Sequence, residues 1–130
     1  MVKSFEKISE MLKEALSMNA ARAKVLAMMI FAMIKCETVN LSKLSKHLKT
    51  DVKQESSYKR LQRFIKEVSF EAMGLARVLL AFADVGANEK LKLILDRTNW
   101  KFGENYISIL CLSVVTPNGN FPLFLEHARK

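Results

Sequence analysis

Ten consecutive residues, Val25 to Ile34, carry no polar side chain, and Lys24 and Lys35 bracket them. The run is too short for a bilayer, which takes roughly 20 apolar residues. A helix over Ala20–Ile34, capped by Asn19, is then apolar on nearly every face. Such a helix has to be surrounded by other elements, at the centre of a bundle. Its seam of Met28, Met29 and Met33 reads as adaptable core rather than a cofactor box.

Neighbours able to surround it lie on both sides. Phe5, Ile8, Leu12, Ala15 and Leu16 recur at helical spacing, and Ser4 is a fitting N-cap. Leu41, Leu44 and Leu48 line one side of a short helix, with Ser42, Lys43, Ser45 and Lys46 on the other. Lys49-Thr50-Asp51-Val52 reads as a turn. A further helix runs from Gln54 to Val68, with Tyr58, Leu61, Ile65 and Val68 as its inward stripe. Ser69 caps a last helix from Phe70 to Val85, and Gly86 stops it. Half of the 130 residues are hydrophobic, enough to fill such a core.

The pattern changes after Asn88. Leu91 to Leu95 reads as a short buried strand with Asp96 at its exit, and Thr98 and Asn99 as turn residues. Trp100 reads as core, since a lone Trp beside a strand usually buries its ring. Tyr106 to Val115 is a longer strand. Thr116-Pro117-Asn118-Gly119-Asn120 is a tight-turn signal, and Phe121 to Leu125 the third strand. Short connections between sequential strands predict an antiparallel meander. The fold class is α+β. A boundary near Gly86 to Lys90 separates a helical domain, residues 1–88, from a strand domain, residues 89–130.

Several functional classes drop out. The N-terminus lacks the apolar core and cleavage site of a secretory signal, and a cytosolic protein with no membrane partner is expected. Cys36 and Cys111 are far apart and read as two buried free thiols. His47 and His127 are equally scattered, so no zinc constellation forms. Four glycines include no phosphate-binding loop, and no organic cofactor is implied.

The formal net charge is +8, and its placement matters more than its size. Residues 42–66 hold eight basic and two acidic side chains, most of the net charge in one segment. A focused basic segment points to a polyanionic partner. The two helices flanking the 49–52 turn have helix-turn-helix proportions, a motif whose second helix enters the major groove of DNA. Lys59, Arg63 and Lys66 share one face of that second helix, with Ser56 and Gln62 flanking and Arg60 beside it. Lys and Arg neutralise phosphates, while Arg and Gln also read base edges. The plainer alternative is a solvated outer face on a core helix.

Asp96 after a strand is, by itself, most simply a turn former. Its surroundings say more. Asp96-Arg97-Thr98-Asn99-Trp100-Lys101-Phe102-Gly103, followed by Tyr106-Ile107-Ser108-Ile109-Leu110, resembles the first-carboxylate block of bacterial insertion-sequence DDE transposases, in the branch called insertion sequence four. Phe121-Pro122-Leu123 is similar to that family's third strand. Ser57-Tyr58-Lys59-Arg60-Leu61-Gln62-Arg63-Phe64 resembles the helix that often precedes the block. The resemblance covers residues 40 to 125.

It implies a helical DNA-binding region followed by the first three strands of an incomplete ribonuclease-H-like domain. Its chemistry would be metal-assisted cleavage and joining of DNA strands, with two Mg²⁺ ions clamping the attacking and leaving oxygens. Asp96 matches the first of three acidic metal ligands. The later Asp and Glu have no counterpart, since Glu104 and Glu126 lack their sequence context. One carboxylate does not hold two hard cations securely. The expectation is therefore a truncated transposase, inactive as this chain alone, with DNA element ends and another transposase chain or the missing C-terminal part as partners. A stand-alone DNA-binding protein that competes with a full-length transposase is the alternative. Arg97 could meet a phosphate or pair with a neighbouring acid.

Overall fold

A computed structural model describes residues 2–48, 53–86 and 88–127. It is α+β, with five helices followed by a three-stranded antiparallel sheet. The chain divides into two compact units, Met1–Phe70 and Glu71–Lys130. The expected turn at Lys49–Val52 lies outside the described residues.

The first unit holds α1 (Val2–Ala15), α2 (Ala20–Cys36), α3 (Leu41–His47) and α4 (Gln54–Glu67). The all-apolar run does what its composition demands. α1, α3 and α4 all contact α2. Val25, Met29 and Ala32 of α2 form one core with Leu44, Leu48, Leu61 and Phe64, and Met28 and Met33 pack against it. On another side of α2, the rings of Phe5 and Phe31 meet with centroids 5.8 Å apart.

Local side chains set the helix ends. Asn19 Oδ1 accepts from the Arg22 amide at 2.8 Å, as expected of a cap. Asn40 does the same for Lys43 at 3.2 Å. Ser4 is not a cap, because α1 already begins at Val2. Ile65 is also placed differently from expectation. It is 56% exposed, and α4 instead turns Ser57, Leu61 and Phe64 inward. Leu61 and Phe64 fill the space beside α2, which leaves the 65 position facing solvent.

Three helices end on left-handed residues other than glycine: Ser17, Glu37 and Asp84. Glu37, at φ 48°, also places a carboxylate at the negative end of the α2 dipole. Glycine there would relieve both the Cβ crowding and the charge. Glu37→Gly is expected to raise the unfolding free energy by about 1 kcal/mol, less a part lost to the freer unfolded chain. A urea titration that shows no gain, or a loss, would contradict this account of the α2 terminus.

The second unit comprises α5 (Ala72–Phe82), β1 (Lys92–Phe102), β2 (Asn105–Thr116) and β3 (Gly119–His127). α5 starts later than expected and is capped by Glu71, not Ser69. Glu71 accepts from the Met73 amide at 3.2 Å and the Gly74 amide at 2.7 Å, so one carboxylate satisfies two free N–H groups. It ends at Phe82 rather than at Gly86. The Asp84 amide bonds to Ala81 and the Val85 amide to Leu80, closing a Schellman motif upstream of that glycine. α5 contacts β3, so it belongs with the sheet and not with the first four helices.

The meander is present, with strand order β1-β2-β3 and both pairs antiparallel. β1 is not a five-residue buried strand. It runs eleven residues to Phe102, every one of them exposed. Thr98 and Asn99 are strand residues, paired with Ile109 and Ser108. The reversal comes at Gly103-Glu104, where Gly103 takes φ 61°, as a two-residue hairpin with glycine first requires. Trp100 is 68% exposed and is not core. Cys36 and Cys111 are free thiols, half-buried rather than fully buried.

β3 carries an extra residue opposite Leu112 and Ser113. That residue is Leu123, and the bulge puts Leu123, Phe121 and Phe124 into one cluster with Val114 of β2 and Ala76, Leu79 and Leu80 of α5. A strictly alternating strand would send Phe121 and Phe124 to opposite faces. α5 thus covers one sheet face at its Val114 end.

Candidate nucleic-acid interface and strand carboxylate

α4 owes its orientation to Leu61 and Phe64, which are buried against α2. At about 100° per residue, Lys59 and Lys66 fall roughly opposite this anchored side, with Arg63 and Gln62 at either margin. All four are exposed, as is Arg60. Lys59, Gln62, Arg63 and Lys66 thus share one outward arc of about 100°. Arg60 does not join them, since it lies about 100° round the helix from Lys59, toward the core side. Ser56 is exposed at the N-terminal margin of the arc.

The arc is not purely cationic. Lys59 Nζ lies 3.2 Å from Glu55 Oε1, one turn earlier. Both side chains are largely exposed, so the pair is weak and a phosphate can displace the carboxylate. α3 adds Lys43 and Lys46, both exposed. Ile65 is an apolar residue on the solvent side of the same helix, a feature missed in the sequence because it fits the inward spacing of three and four.

Asp96 sits in the middle of β1, opposite Cys111. Its Oδ1 accepts from the Arg97 amide at 2.8 Å. Strand alternation places Asp96 on the sheet face of Ile94, Trp100 and Cys111, away from the side that carries α5. Glu126 pairs with Leu110 and therefore points to the α5 side. Glu104 is in the hairpin loop. Neither acid can join Asp96.

Among the described residues no three His, Cys, Asp or Glu side chains gather to hold a metal ion. By register, the polar neighbours on its face are Thr98, two residues along β1, and Cys111, directly across on β2. Mg²⁺ demands near-octahedral oxygen coordination, and this set does not supply it. The described residues therefore do not fit a Mg²⁺ site, since Asp96 stands as a single carboxylate.

The opposite face holds a cluster with no sequence signature. Arg97 Nε donates to Ser108 Oγ at 2.7 Å, and Ser108 Oγ donates to Asn99 Oδ1 at 3.0 Å. These residues meet because Asn99 and Ser108 are directly paired across the strands. Lys101 Nζ lies 5.5 Å from the centre of the Tyr106 ring on the same face.

Comparison with protein families, with curated proteins and with solved structures finds no match.

Proposed function

We propose that this chain binds DNA through the outward arc of α4 and is the DNA-binding part of an insertion-sequence transposase, with Asp96 at the position of the first catalytic carboxylate. The observation that carries the reading is the arc itself. Lys59, Arg63, Lys66 and Gln62 project together from a helix whose other side is locked to the core, within the segment that holds most of the net charge. A rigid helix with phosphate-neutralising and base-reading side chains on one face suits a DNA groove. Strand transfer would need acidic ligands besides Asp96, from further chain or from a partner. The expected setting is cytosolic. Among the described residues no single helix is long and apolar enough to cross a membrane.

A second reading has an observation of its own. The DNA-binding face lies wholly in the first unit, while the described residues bring no further acid to Asp96. A protein that occupies element ends and competes with a complete transposase would need only the former. A downstream reading frame encoding a second Asp and a Glu would favour the first reading, and unrelated downstream sequence the second.

The test shared by both is a gel-shift titration against duplex DNA at two salt concentrations. Lys59→Ala with Arg63→Ala is expected to weaken binding about tenfold or more and to lower the salt slope by about 2. Asp96→Ala is expected to bind as the parent does. No binding at low salt, or binding indifferent to the double substitution, sinks the α4 assignment. A large loss with Asp96→Ala would show that the carboxylate side of the sheet takes part in holding DNA.

A further inference from the structure

Asp96 and Arg97 adjoin in sequence, yet the strand delivers them to opposite faces of the sheet. Arg97 is thus not a companion of the carboxylate. It forms no ion pair among the described residues, whose salt bridges are Lys13–Glu10 and Lys59–Glu55. Glu126 occupies the same cross-strand row, two strands and about 10 Å of backbone away, and does not reach it.

The Arg97 side chain is held from beneath. Ser108 is 5% exposed, and its hydroxyl accepts from Arg97 Nε while giving its own proton to Asn99. That order uses the hydroxyl as donor and acceptor and fixes the guanidinium plane. Among the described residues both terminal nitrogens, with four N–H groups, stay available in the fork geometry that fits a phosphate. Lys101 lies four residues along the same face, about 13 Å from Arg97, beside the exposed ring of Tyr106. A fixed guanidinium, an ammonium and an aromatic ring on one sheet face make up the elements of a single-strand platform, where cations follow the backbone and rings stack on bases.

We propose that Arg97 and Lys101 of β1, with Tyr106 directly across from Lys101 on β2, form a second nucleic-acid site that binds the phosphodiester backbone of single-stranded DNA on the α5 side of the sheet. This goes beyond the α4 reading and uses none of its residues.

The test uses the full chain carrying Lys59→Ala, Arg63→Ala and Lys66→Ala, so that α4 is silent. Fluorescence anisotropy with a labelled oligothymidylate reads affinity and salt slope. Adding Arg97→Ala with Lys101→Ala is expected to weaken binding at least fivefold and to lower the slope by about 1.4, the value for two single-strand phosphates. Ser108→Ala keeps both charges and frees the guanidinium, so affinity falls several-fold while the slope holds. Arg97→Lys, which leaves the buried serine in place, is expected to behave like Ser108→Ala. Affinity and slope unchanged by Arg97→Ala with Lys101→Ala would overturn the site. Displacement of the oligonucleotide by inorganic phosphate at constant ionic strength would mark a free-anion site and overturn the assignment to nucleic acid. Duplex binding by the chain with intact α4 is scored separately, so failure of one site leaves the other readable.

Discussion

Leu61→Ala lowers the unfolding free energy of the helical unit by about 2–5 kcal/mol, the range for a large side chain removed from a closed core. Leu61 has no exposed surface and sits among Val25, Met29, Leu44 and Phe64. It joins α4 to α2, so the cavity opens where α4 is anchored. Ile65→Ala, four residues further on, changes stability by only about 0.5 kcal/mol, as surface substitutions do, because that side chain already faces solvent. Urea denaturation of the two variants measures the contrast. Equal losses would mean that α4 is rotated from the orientation described, and the basic arc would rotate with it. The pair of substitutions thus tests the orientation of the basic arc without any DNA.

The second large effect concerns association. Among the described residues β1 and β3 are both sheet edges, and β1 offers eleven exposed residues whose outward backbone groups have no strand partner there. Leu95 is 64%, Trp100 68% and Phe102 76% exposed, far more apolar surface than a free edge strand usually shows. Concentration-dependent self-association is expected in analytical ultracentrifugation. Trp100→Lys with Phe102→Lys places two charges on one face of that edge, and is expected to weaken association by at least about tenfold. A parent chain that sediments as a monodisperse monomer at every concentration would refute the expectation.

What could be read in the sequence follows from how local each cause is. The α2 core position needs only ten apolar residues in a row, and Asn19 caps from three residues away. Both are short-range facts. Asn40 carries the same signal immediately before Leu41, and its cap could have been read the same way. Ser69 and Gly86 misled because Glu71 and Asp84 lie nearer the true ends and satisfy the free backbone groups there. Asp96, Thr98 and Asn99 favour turns when taken alone, which hides the second half of β1. Pairing with the Ile- and Leu-rich β2 overrides that preference, since strand preference depends largely on the neighbouring strand. The α4 arc was visible because helical spacing defines a face, except that spacing alone could not say whether Ile65 lay inside or outside. The Arg97, Ser108 and Asn99 cluster was invisible, because the strand register joins residues nine and eleven apart.

The hairpin at Gly103-Glu104 has a role larger than its two residues. It fixes which residue of β1 stands opposite which of β2, and side chains alternate with a period of two. One residue gained or lost there would carry Asp96, together with Trp100, to the α5 side of the sheet and send Arg97 to the opposite face. The acid and the base would trade sides with no change in either. The left-handed glycine at position 103 therefore acts as an address: it assigns Asp96 to one surface and Arg97 to the other.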